Sequence, residues 1–325
     1  MNVRRRHISA GVIATATALA LGSLSACSSD SSAADGEGGK LDVVASFYPL
    51  QFLAEEIGGS HVSVSTLTEP GQEPHDLEIS AKQTAQLQES DVALYLKGLQ
   101  PSVDEAIGQS EVKAKVDAAT LTDLEKHGTE VGGHAAEHDE EDEHGHEDEE
   151  GSGLDPHIWL DPVKYAEVAE GVGKAFEKAD PDNAATYKKN TAALVKKLDG
   201  LDTRFEDGLR NTKTKVFITT HAAFGYLAER YGLTEEAING LDPESEPSAN
   251  RVKDLEKMAK ADGVSTVFYE TLVSDKTAKT IAADADLRTD VLDPIEGITE
   301  KSRGDDYIQV MDANLKALQT ALGAK

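Results

Sequence analysis

Three histidines stand in short motifs whose residue types suit coordination chemistry. His75 lies in QEPHDLE (72–78), His157 in DPHIWLDP (155–162) and His221 in TTHAAFGY (219–226). Each falls where a strand-like run meets a helix-like run, so its side chain can point into a cleft. A lone histidine in such a place is more often structural. Three of them, drawn from both halves of the chain, form a different object: three imidazoles plus one carboxylate or water make a tetrahedral set suited to zinc. Asp155 and Asp161 flank His157 and are candidate acceptors that orient its ring. Trp159 reads as packing behind it. His61 begins a strand and reads as an ordinary strand-end residue.

Five further histidines, His127, His134, His138, His144 and His146, fall in one stretch at about 123–153. Between Glu137 and Glu150 it holds ten acids and three histidines in fourteen residues. Such a composition cannot build a core, so the stretch is expected to be a disordered loop. Its imidazoles and carboxylates make it a candidate auxiliary collector of metal ions.

These groups need elements to position them. The 325 residues carry 32 basic and 60 acidic side chains, a net charge of −28. That length suffices for two lobes. The charge excludes most nucleic-acid binders, which need a basic face, and suits a cation-binding protein. Runs at 42–46, 62–67 and 91–96 read as strands, with helices at 49–58 and 80–90 between them. A helix follows at 163–178, then a long and largely exposed one at 182–210. The alternation restarts with strands at 215–219, 265–269 and 290–292 and helices at 222–231, 248–261, 275–284 and 307–322. Alternating strands and helices predict parallel α/β packing: a lobe at 41–180, a linking helix at 182–210 and a second lobe at 213–325. The fold class is therefore two Rossmann-like α/β lobes on a rigid helix. Open α/β sheets bind ligands at the carboxyl ends of their strands, so the cleft between the lobes is the expected site.

The first 27 residues read as an address. Arg4, Arg5 and Arg6 precede an uncharged apolar stretch at 8–24, the plan of a bacterial export signal. The following Leu24-Ser25-Ala26-Cys27 resembles a lipobox and contains the sole cysteine of the chain. Lipidation of Cys27 would anchor the protein to the outer face of the cell membrane, and the polar run at 28–40 would be its flexible tether.

The order PHDLE, DPHIWLDP, THAAFGYL, behind a lipobox and with a His-rich acidic insert before the second motif, resembles the zinc-binding lipoproteins of bacterial ABC importers. The resemblance covers about 41–325. It implies an extracytoplasmic zinc-binding protein, not an enzyme, acting as a monomer. Its partners would be an ABC permease with its ATPase, and Zn2+ would be its transported ligand. It further implies that His75, His157 and His221 are metal ligands. A C-lobe carboxylate is implied as the fourth, in LDPIEG (292–297): Glu296, or alternatively Asp293. Pro74 separates Glu73 from His75, a departure from relatives that use a glutamate there. Manganese members of the family place a glutamate where His221 stands, so a manganese or iron protein is the alternative cargo reading and a surface adhesin the alternative role. A zinc hydrolase would need an open fourth position and a general base, and neither HExxH nor GxSxG occurs. Affinity is expected to fall as pH drops through about 6.5, because coordination needs neutral imidazole.

Overall fold

The structure is a computed structural model that describes residues 39–131 and 153–325. Cys27, His134, His138, His144 and His146 lie outside the described residues, as do the signal and nearly all of the tether.

The first half builds a four-stranded parallel sheet from β1 (Leu41–Ala45), β2 (Val62–Thr66), β3 (Val92–Tyr95) and β4 (Ala114–Asp117), in the order β2-β1-β3-β4. Its central strands are nearly continuous apolar runs, as strands covered on both faces must be. The crossovers are α1 (Tyr48–Gly58), α2 (Ala81–Glu89) and α3 (Pro101–Gln109). Ser80 and Gln83 form a reciprocal capping box that starts α2. The α3–β4 pair was not expected from the sequence, because PSVDEAIGQ and AKVD are short and mixed in polarity.

The second sheet has the order β5-β7-β6-β8-β9. Its strands are β5 (Glu130–Val131), β6 (Val216–Thr219), β7 (Thr234–Ala237), β8 (Thr266–Tyr269) and β9 (Arg288–Val291). All pair in parallel except β5, which runs antiparallel to β7. Strand β7 is TEEA, a sequence that does not read as a buried strand, yet Glu235 and Glu236 are both buried. Both have tertiary partners: Thr219 Oγ1 and the Phe224 amide donate to one oxygen of Glu235, whose carboxyl burial pushes up to about 7, and Arg251 pairs with Glu236 at 3.0 Å.

Helices α4 (Pro162–Ala179) and α5 (Ala184–Leu209) join the sheets, and α6 (Gly225–Tyr231), α7 (Ala249–Ala261), α8 (Lys276–Asp284) and α9 (Tyr307–Leu322) cover the second one. Helix α5 is about 39 Å long at 1.5 Å per residue. Most of it is exposed or half-buried, as expected, but one stripe, Tyr187, Thr191, Leu194, Leu198, Leu201, Phe205 and Leu209, is buried, and the helix packs against α1, α4 and α9. One apolar cluster therefore runs without a break from the first sheet, through α5, to α6 and α9.

Composition places residues 123–131 in the expected disordered loop, and there the structure differs. Residues 123–131 are pinned to the second lobe. Tyr226 Oη accepts from the Glu125 amide at 2.8 Å, Arg251 donates to the Thr129 carbonyl at 2.7 Å, and β5 pairs with β7. These partners are distant in sequence, so local composition could not reveal them.

Candidate metal centre

Four loops converge, three of them following strands. His75 follows β2, His157 opens a single 3-10 turn (Ile158–Leu160) before α4, His221 follows β6, and Glu296 follows β9. Ring centroids lie 5.4 Å apart for His75 and His157, 5.3 Å for His157 and His221, and 6.0 Å for His75 and His221. All three Nε2 atoms face one oxygen, Glu296 Oε1, at 3.4, 3.5 and 3.6 Å from His75, His157 and His221. The four ligand atoms lie within 4.8 Å of one another. A tetrahedron with metal–ligand bonds of about 2.0 Å has edges of about 3.3 Å. The spacing about Glu296 thus matches the shell of a zinc-sized ion.

The polarity agrees. His157 and Glu296 are 0% and 1% exposed and His221 2%. Two of the rings are turned by acceptors on their far side. His157 Nδ1 bonds Asp155 Oδ1 at 2.7 Å, and His221 Nδ1 bonds Glu270 Oε1 at 2.9 Å. With Nδ1 as the donor, each ring presents its Nε2 lone pair to the carboxylate. The Nε2 atoms of His157 and His221 and Oε2 of Glu296 have no hydrogen-bond partner. Buried acceptors facing acceptors require a proton or a cation between them.

Titration follows from this geometry. Burial opposes charge on His157, but Asp155 and Glu296 outweigh it and lift the imidazole to about 8. Burial likewise opposes charge on His221, and Glu270 with Glu296 raises it well above the ordinary value. Burial would raise Glu296, yet the three imidazoles gathered around it hold it well below the usual carboxylate range. Glu73 is pushed up to about 8 by burial and by the Glu296 charge. It takes no place in the cluster; it accepts the backbone N–H groups of His75 and Asp76 and so shapes the His75 turn.

Asp293, the alternative fourth ligand, points elsewhere. It accepts from the Ile295 amide at 2.8 Å and from Thr271 Oγ1 at 3.2 Å, and its backbone is clasped by Asn314. This brace holds Ile295 at φ 60°, a left-handed conformation rare for a branched residue, which turns Glu296 inward. Asp161 also has another task than the one expected. It caps α4 through the Val163 amide and pairs with Arg230. Trp159 packs 5.2 Å from the His157 ring and donates to the Pro294 carbonyl, joining two of the converging loops.

His127, grouped with the loop histidines by sequence, is instead built into the wall. Its Nδ1 bonds Asp155 Oδ2 at 2.7 Å and its side chain is 6% exposed. Glu270 was missed entirely; its signal is a carboxylate directly at the carboxyl end of a buried parallel strand. A cavity of about 200 Å³ lined by Tyr48, Thr68, Glu69, Gly297 and Asp305 reaches Glu296 and supplies an acidic approach.

Two parallel-sheet lobes with a histidine–carboxylate cluster between them define the class of two-lobed α/β solute-binding proteins. The family described as ZnuA, zinc-uptake complex component A, periplasmic, matches residues 43–321, and the chain belongs to it. The zinc-binding lipoprotein AdcA of Streptococcus pneumoniae is 36% identical over 287 residues, which are 86% of this chain and 56% of that protein. The chain therefore spans little more than half of that relative. The high-affinity zinc uptake system protein ZnuA of Bacillus subtilis is 36% identical over 304 residues, 92% of each chain. Among solved structures, the Zn(II)-bound ZnuA-like domain of S. pneumoniae AdcA superposes with a TM-score of 0.70 at 34% identity, over 87% of this chain and 99% of that one.

Proposed function

We propose that this protein captures zinc outside the cytoplasm and delivers it to an ABC permease with its ATPase, and that His75, His157, His221 and Glu296 hold the ion. The observation that carries the reading is the set of three imidazole Nε2 atoms 3.4–3.6 Å from one buried carboxylate oxygen. Three nitrogens and one oxygen favour zinc over manganese, which prefers more oxygen ligands and higher coordination. Four protein ligands close the tetrahedron and leave no position for a reactive water, so the role is carriage and not catalysis. The names of AdcA and of ZnuA from B. subtilis support the same cargo. Lipidation at Cys27 would hold the monomer at the membrane, and the histidines at 134, 138, 144 and 146 would collect ions for it. The unbroken apolar core through α5 resists wide hinge opening, so release would proceed by loop movement.

Native mass spectrometry with zinc and manganese in competition tests this. One zinc is expected to survive a chelator, and to be lost in His221→Ala. Manganese held equally well would refute the cargo.

A further inference from the structure

Behind Asp155 a second imidazole is held as His157 is held. One oxygen of this carboxylate meets His157 Nδ1 and the other meets His127 Nδ1, both at 2.7 Å. The His127 ring stands edge-on to Tyr226, with centroids 4.5 Å apart. It lies over Gly225, where a Cβ would come within 2.6 Å of its Cγ and Nδ1. Only glycine leaves room for the ring at that place. With Nδ1–H given to Asp155, the Nε2 lone pair of His127 is turned outward, 3.3 Å from Glu229 Oε2. Glu125 joins them: one ligand atom from each of the three residues lies within 4.8 Å of the other two. A carboxylate behind Nδ1 with Nε2 facing further donors is the arrangement of a metal-binding histidine. A lone pair opposed to a carboxylate oxygen again calls for a proton or a cation between them, and the metal would take the place of that proton. Lys164 Nζ meets only part of that demand, at 2.9 Å from Glu125 Oε1.

We propose that Glu125, His127 and Glu229 form a second binding site, near the surface, for a divalent transition-metal ion such as zinc. One imidazole and two carboxylates, with water completing the shell, suit ions of borderline softness. The site is weaker than the buried cluster, because Glu229 is 57% exposed and Lys164 competes for Glu125. Asp155 is common to both sites, so it orients one histidine of each. The assignment rests on its own residues and not on the reading of the buried cluster.

The test uses the full chain with His134, His138, His144 and His146 changed to alanine, which removes other imidazole donors. Zinc bound per chain is measured by equilibrium dialysis over a buffered range of free zinc. Two classes of site are expected. Glu229→Gln and, separately, His127→Ala should abolish the weaker class or shift its midpoint by at least about tenfold. In Glu229→Gln, an exposed position that spares the fold, the tight class should be unchanged. His221→Ala should lose the tight class and keep the weaker one. No weaker class in the parent, or one indifferent to Glu229→Gln and His127→Ala, overturns the proposal. A weaker class that depends on Glu229 with no tight class in the parent would sink the buried-site reading and leave this one standing.

Discussion

Zinc affinity should begin to fall near pH 8, well above the ordinary imidazole range. The metal needs the Nε2 lone pairs, so each protonated ring must lose its proton first. His157 titrates at about 8, because Asp155 behind it and Glu296 before it outweigh the cost of burying charge. At pH 7 that proton alone weakens apparent binding about tenfold, or about 1.4 kcal/mol. Between pH 8.5 and 6.0 it weakens binding roughly a hundredfold. His221 is raised too, by Glu270 and Glu296 against its burial, so a second proton adds to the slope. The assay is chelator competition at controlled free zinc from pH 5.5 to 9, with proton release counted by calorimetry in buffers of different ionisation enthalpy. The logarithm of affinity should rise by one to two per pH unit below 7.5. A change of less than about threefold between pH 6 and 8 would refute the reasoning, since it would mean that the imidazoles are neutral before the metal arrives.

The metal-free protein should show a stability profile set by the same groups. His157 has a raised folded value, so its contribution, about 2 kcal/mol, is complete below pH 6.5 and lost as pH rises through about 8. The Glu296 contribution runs the other way, present above its usual value and lost in acid. Thermal melts without zinc should therefore decline between pH 6.5 and 9, and zinc should remove that decline; a flat metal-free profile would contradict the protonation scheme. Glu270→Ala leaves the buried His221 Nδ1–H without its acceptor and should weaken zinc binding about 10- to 100-fold. Glu270→Gln, whose amide oxygen accepts the same bond, should recover part of it, and an alanine variant within threefold of the parent would show that the ring needs no such support. Asp293→Asn should lower the melting temperature while changing zinc affinity by less than about threefold, whereas Glu296→Gln should cost about a hundredfold or more. The reverse order would make Asp293 the ligand.

Much of the architecture was legible because it is written in local periodicity. The apolar strands of the first sheet, the helix at 80–90 and the long helical run at 182–210 announce themselves in short windows. The elements that escaped are those whose local signal is contradicted by distant partners. TEEA becomes a strand because Thr219, Phe224 and Arg251 give its buried acids partners. Residues 123–131 become ordered because Tyr226, Arg251 and β7 hold them. The same holds at the site. His75, His157 and His221 stood out by motif and by position at strand ends. Glu270, and the role of His127, did not, since each acts through a hydrogen bond to a residue far along the chain.

By itself the sequence determined the class of fold and the family, and it singled out the three imidazoles as candidates, because residue type and spacing survive without coordinates. Only the tertiary structure distinguishes the surroundings of Glu296 from those of Asp293. Both carboxylates sit in one four-residue stretch, and nothing local separates them. The clasp of Asn314 and Thr271 on Asp293, with the left-handed turn at Ile295, points one carboxylate into the core and the other at three nitrogens. Coordination is a matter of direction as well as composition, and direction is set by contacts that the chain makes only when folded.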